Sequence, residues 1–178
     1  MTTYISILRG INVSGHKLIK MEALRKMYSD LGFSDVRSYI QSGNIIFSYK
    51  NSETDSLEKK ISKKINDTFG FDVPVLVKEI SEFKKILNNN PFLKYKKTED
   101  ISKLHVTFLS AEPLKENTEK IKDGDYGPDE FAVAGDIIYL FIPDKYGNTK
   151  LSNTFFEKKL NVSATTRNWK TVNELAKM

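Results

Sequence analysis

The chain has 178 residues, 39% apolar and 29% charged, with a formal net charge of +5, a balance that supports one sizeable core or two small ones and excludes a disordered chain. Cysteine is absent and histidine occurs twice, which excludes a disulfide framework, thiolate metal sites, a cysteine nucleophile and a histidine-rich metal site. No basic-then-apolar leader opens the sequence and no apolar run approaches the roughly 20 residues that span a bilayer, so the expected compartment is the cytoplasm.

Residues 3 to 8 read as a strand. Met21, Leu24, Met27, Tyr28 and Leu31 recur at helical spacing and stop at Gly32, and residues 35 to 41 and 44 to 49 pattern as a hairpin. A helix over about 54 to 69 stops at Gly70; its Lys59, Lys60, Lys63 and Lys64 lie between Leu57, Ile61, Ile65 and Phe69, a placement that suits solvation rather than recognition. Val73 to Lys78 form a strand whose early Pro74 suits a sheet edge, and Ile80, Phe83 and Leu87 mark a further helix. The first six of these elements are the split arrangement of ferredoxin-like folds.

After Asn88-Asn89-Asn90-Pro91 and a polar connector with Lys94, Lys96 and Lys97, the order recurs. It runs strand 103 to 109, helix 114 to 122, strands 129 to 134 and 136 to 142, helix 151 to 161, strand 162 to 166, helix 168 to 177. Ser42-Gly43-Asn44-Ile45-Ile46-Phe47 aligns with Ala134-Gly135-Asp136-Ile137-Ile138-Tyr139, which favours duplication. The expected fold is α+β, two tandem ferredoxin-like units whose antiparallel sheets carry packed helices. The units cover residues 1–90 and 103–178, joined by a connector at 91–102.

The stretch Arg9-Gly10-Ile11-Asn12-Val13-Ser14-Gly15-His16-Lys17 follows a strand, precedes a helix, and is richer in glycines and donors than a connection requires. Its counterpart, Ser110-Ala111-Glu112-Pro113, has no such character. In a split unit the first and second strands run parallel with the third between them, so Arg9 to His16 should face Gln41 to Asn44. Arg9 suits a phosphate or carboxylate clamp or an ion pair equally. Gly10, Gly15, Asn12 and Asn44 suit turn geometry at least as well as ligand contact. His16 is the only proton-transfer candidate in the loop, whereas His105, alternating with Leu104 and Val106, reads as structural. Asp123, Asp125, Asp129 and Glu130 imitate an oxygen-rich cation site, but their spacing departs from the EF-hand pattern, and no metal is expected.

Three blocks, Ile7-Leu8-Arg9-Gly10-Ile11-Asn12-Val13, Tyr39-Ile40-Gln41-Ser42-Gly43-Asn44 and Thr165-Thr166-Arg167-Asn168-Trp169, resemble the signature of the bacterial domain of unknown function 1697. Family members often carry a second glycine where this chain has Ser14. The resemblance implies an α+β fold of duplicated ferredoxin-like character and no established activity. In the third block Asn168 can cap the final helix and Trp169 with Val172 and Leu175 or Ala176 can bury it, leaving Arg167 as a partner for Arg9 in an anion pocket or as an ion-pair lock.

The expected function is binding of a small anionic ligand, a nucleotide or phosphorylated metabolite, through Arg9, Gly10, Asn12, Gly15, Lys17, Ser42, Asn44 and Arg167. No cofactor fingerprint and no reaction is specified. Single-stranded nucleic-acid binding and a ligand-free protein-interaction module are the alternatives; the first lacks an aromatic RNA-recognition signature and a concentrated basic stripe.

Overall fold

The computed structural model describes residues 1–94 and 98–178; Lys96 and Lys97 of the expected connector lie outside the described residues. The chain divides into two compact units, residues 1–86 with 174–178 and residues 87–173. Each unit carries a four-stranded antiparallel sheet, and the described residues form six α-helices, an α+β fold. No helix among them is long and apolar enough to cross a membrane.

In the first unit β1 (Thr2–Leu8), α1 (Met21–Asp30), β2 (Ser34–Tyr39), β3 (Asn44–Tyr49), α2 (Thr54–Phe69) and β4 (Val75–Glu79) are followed by α3 (Ile80–Asn88), and the sheet order is β2-β3-β1-β4. The strand alternation of two sends Tyr4, Leu8, Ile45, Phe47, Val75 and Val77 toward the helices, where they meet Leu24, Met27 and Tyr28 of α1 and Leu57, Ile61 and Ile65 of α2. Ile5, Ile7, Ile46 and Leu76 point the other way and are also buried. β4 is an edge strand, as Pro74 just before it suits. The strand expected to reach residue 41 stops at Tyr39, because Ile40 turns to φ 51° and leaves the ladder.

The second unit repeats the sequence of elements: β5 (Leu104–Leu109), α4 (Lys115–Lys122), β6 (Glu130–Ala134), β7 (Ile137–Phe141), α5 (Asn153–Leu160) and β8 (Ala164–Asn168), with sheet order β6-β7-β5-β8, followed by α6 (Trp169–Lys177), whose residues 174–177 group with the first unit. Leu109, Ile138, Leu140 and Ala164 form its core with Ile121, Phe156 and Leu160 from the helices. Asn168 caps α6, its Oδ1 accepting from the Thr171 amide at 2.8 Å. β8 begins two residues later than expected, because Asn161 closes α5 at φ 57° and Ser163 is tied to the Ser110 hydroxyl. Short 3-10 turns at Pro91–Lys94, Thr98–Lys103 and Tyr146–Asn148 stand where only connections were expected.

Strand pairing corrects the local match between the hairpins. Ile7 faces Asn44 and Phe108 faces Ile137, so the position of Asn44 corresponds to Ile137, one residue beyond the Asp136 that sequence alignment pairs with it. The cause is turn length. Tyr39 pairs with Asn44 across residues 40–43, whereas Ala134 pairs with Ile137 across Gly135-Asp136 alone. A slip of one residue would invert every side chain on the strand, and the observed register keeps Ile45 and Ile138 both on their helix-covered faces.

Candidate functional site

The loop after β1 folds as a miniature hairpin. The Asn12 amide donates to the Lys17 carbonyl at 3.2 Å and the His16 amide to the Val13 carbonyl at 2.9 Å. Ser14 at φ 50° and Gly15 at φ 77° form its tip, the two left-handed residues that a type I′ turn requires. Ser14 thus takes the conformation itself where a glycine would adopt it freely.

Asn12, itself at φ 55°, spends its whole side chain on this frame. Its Nδ2 donates to the Ile19 carbonyl at 3.0 Å and to the Gln41 carbonyl at 2.9 Å, and its Oδ1 accepts from the Ile19 amide at 2.8 Å. Lys17, at φ 46°, donates from Nζ to the backbone carbonyl of Asp72, ahead of β4. Asn12 thus gives both of its amide donors to backbone carbonyls, and Lys17 gives one of its three to the Asp72 carbonyl, because a loop that leaves its strand with so little regular pairing needs side chains to satisfy its polar groups.

The turn 40–43 meets this loop as topology required. Leu8 donates its amide to the Gly43 carbonyl at 2.8 Å. A Cβ on Gly43 would stand 2.7 Å from Leu8 Cβ and 2.9 Å from Ile11 Cδ1, and its φ is 80°, so both space and backbone restrict the position to glycine. Asn44 is fully buried and its Nδ2 bonds the Tyr39 carbonyl at 3.1 Å and Ser42 Oγ at 2.9 Å; it too shapes the turn. Ile40 holds a left-handed conformation that β-branched residues rarely accept, with its side chain 51% exposed.

Between loop and turn lies a cleft of about 570 Å³ lined by Asn12, Leu18, Ile19, Lys20, Met21, Glu22 and Gln41. It opens at the start of α1, where Lys20 occupies the N-cap position and no side chain caps the first-turn amides. Lys20 is exposed and makes no ion pair among the described residues. Leu18, one of the lining residues, is 66% exposed. Sequence reasoning placed Gln41 opposite the loop but missed Lys20 as a lining group; the signal available was a lysine immediately ahead of a helix with no Ser, Thr, Asp or Asn to cap it.

The other expected residues fall outside the lining. Arg9 is half-buried and its amide donates to the Pro74 carbonyl at 3.0 Å. Gly10, at φ 74°, and Gly15 are exposed backbone positions. His16 is exposed, and its imidazole makes no hydrogen bond among the described residues. Arg167 belongs to the second unit, opposite Val106 on β5. It is half-buried, its Nη1 donates to the Thr166 carbonyl at 3.1 Å, and desolvation lowers its pKa to about 10, which leaves it charged at neutral pH. His105 stacks on Tyr146 with ring centroids 4.9 Å apart. Among the described residues no three acidic or histidine side chains gather as a metal site; Asp125 instead accepts from the Gly127 amide and Asp129 from Thr149.

The fold is similar to "the structure of conserved bacterial protein SP0830 from Streptococcus pneumoniae", with a TM-score of 0.74 and 23% identity over 99% of this chain and 97% of that one. No curated protein matches the chain. A family described as protein of unknown function (DUF1697) matches residues 1–139, and with its blocks at Arg9 to Val13 and Gln41 to Asn44 inside that span, the chain belongs to this family.

Proposed function

We propose that the protein binds a small ligand through an anionic group, a nucleotide or phosphorylated metabolite, in the cleft at the start of α1. The observation that supports this reading is the uncapped first turn of α1 opening into that cleft beside Lys20, since orphan amides and the positive end of a helix attract anions. Met21, Glu22 and Ala23 would supply amides, Lys20 the counter-charge and Gln41 a polar contact. Asn12, Lys17, Ser42, Gly43 and Asn44 hold the walls; Arg9, Gly10 and Gly15 shape the approach. Arg167 lies in the other unit and has no role in this reading. The His16 imidazole has no partner among the described residues, so the reading stops at binding and includes no reaction.

The same sheet order and element order in both units favour a tandem, duplicated ferredoxin-like architecture over 1–90 and 103–178 with a connector at 91–102; the compartment we propose for it is the cytoplasm. Nucleic-acid binding is disfavoured, because base stacking on such sheets needs exposed aromatics. Phe108, Tyr139 and Phe141 are buried, and no large exposed apolar side chain among the described residues is aromatic.

Thermal unfolding with inorganic phosphate, nucleotides and sugar phosphates tests the reading. A ligand at 100 times its Kd adds about 2.7 kcal/mol, roughly 5–10 °C in Tm for a chain of this size. At least one compound should give such a shift in the wild type and a much smaller one in Lys20→Ala. Equal shifts in both chains, or none, overturn it.

A further inference from the structure

The two sheets have four edge strands, and they are unequally closed. On β4 the Pro74 carbonyl faces β1, so Val77 and Glu79 turn their amides outward. Val77 donates to Glu58 Oε1 at 2.8 Å and Glu79 to Glu82 Oε2 at 2.9 Å. On β8 the outward amide of Ala164 donates to Glu157 Oε1 at 3.0 Å, and the outward carbonyl of Thr166 accepts from Arg167. β2 is bent by a register shift between Ser34 and Arg37, with Asp35 at φ 51°. Capping carboxylates and bulges are the means by which sheets withhold their edges from other chains.

β6 has none of these. Its two-residue turn makes Ala134 and Ile137 a hydrogen-bonded closing pair, so Ala132 and Glu130 also face β7, and Phe131 and Val133 turn N–H and C=O outward. Neither residue makes any further hydrogen bond among the described residues. Beside this edge runs a groove of about 830 Å³ between β6 and α4, lined by Leu114, Lys115, Phe131, Ala132 and Val133 among others. Leu114 is 64% exposed at its lip. A second hollow of about 420 Å³ continues along the strand, sharing Lys122, Phe131 and Ala132 and reaching Asp125, Asp129 and Glu130.

We propose that β6 is a docking edge for an extended segment of a partner protein, which adds as a fifth strand to the second sheet. The open donors and acceptors of Phe131 and Val133 specify a strand, the groove under α4 takes its alternate apolar side chains, and the acidic end at the exposed Asp125 takes a basic residue. A second copy of this chain fits less well. Its own Phe131 and Val133 already pack into its own core, so its β6 would pair the edge and leave the groove unfilled.

The test selects random linear peptides displayed on phage against the full chain and synthesises the best sequence. Selected peptides should alternate apolar residues and carry a basic residue at one end. Bound peptide should slow amide exchange at Phe131 and Val133 about tenfold or more while leaving β2 and β4 unchanged. Methylating alternate peptide nitrogens should abolish binding, and methylating the intervening ones should not. Val133→Pro removes one outward N–H from an edge strand without touching the ladder to β7, and should weaken binding about tenfold. The proposal is overturned if selected peptides leave exchange at Phe131 and Val133 unchanged, or if no peptide prefers the wild type over Val133→Pro. A concentration-dependent dimer that protects the same amides also overturns it, by giving the edge to a second copy.

Discussion

The side chain of Asn12 clasps the backbone of Ile19 from both sides, donating to its carbonyl at 3.0 Å and accepting from its amide at 2.8 Å. It closes the loop as a strand partner would, and a third bond to the Gln41 carbonyl fastens loop to turn. With neutral bonds contributing about 1 kcal/mol each, Asn12→Ala should lower stability by about 2–3 kcal/mol in urea unfolding. Asn12→Asp keeps the acceptor but sets a carboxylate against two carbonyls, and should cost more at neutral pH than in acid.

Gly43 and Gly135 look alike in sequence and differ in surroundings. Both have positive φ, but only Gly43 has Leu8 and Ile11 side-chain atoms within 3 Å of where a methyl group would stand. Gly43→Ala should therefore destabilise by about 2–4 kcal/mol, and Gly135→Ala, with open space around it, by about 1 kcal/mol. Equal losses in thermal or urea unfolding would contradict the close approach.

Much of the fold was legible because it rests on periodicity: the apolar spacing of residues 21–31 and 54–69 and the alternation of the strands need no knowledge of partners. The site was less so. That Arg9 to His16 meets Gln41 to Asn44 follows from topology, but whether Asn12 and Lys17 face a ligand or a carbonyl depends on Ile19, Gln41 and Asp72, positions up to 55 residues away. The hairpin match failed for a related reason, since two turns with the same Gly-Asn or Gly-Asp chemistry close loops of different length.

Lysines on α2 illustrate the same limit. Lys60 Nζ donates to the Leu31 carbonyl at 3.0 Å and stands 5.1 Å and 5.0 Å from the ring centroids of Phe33 and Tyr49, whereas among the described residues Lys63 pairs only with the exposed Asp67 one turn on. Lys60→Ala should cost about 1–2 kcal/mol, and Lys63→Ala less than about 0.5 kcal/mol.

His105 gives a pH dependence of definite sign. Burial lowers its pKa below the ordinary 6.5, with the Lys103 carbonyl opposing. The unfolded chain thus binds the proton first, and stability present above about pH 6.5 is lost as pH falls through the folded pKa. Relative to His105→Phe, which keeps a ring on Tyr146, the wild type should lose stability between pH 7.5 and 5.5. A constant difference between the two urea midpoints would contradict this.

The central claim, that the elaborated end of the first unit frames a binding cleft, is tested most directly by amide NMR during titration with the phosphate and nucleotide panel. The account predicts saturable shifts concentrated at Met21, Glu22, Ala23 and Gln41. Shifts scattered over the surface lysines without saturation, or absent at the start of α1, would contradict it.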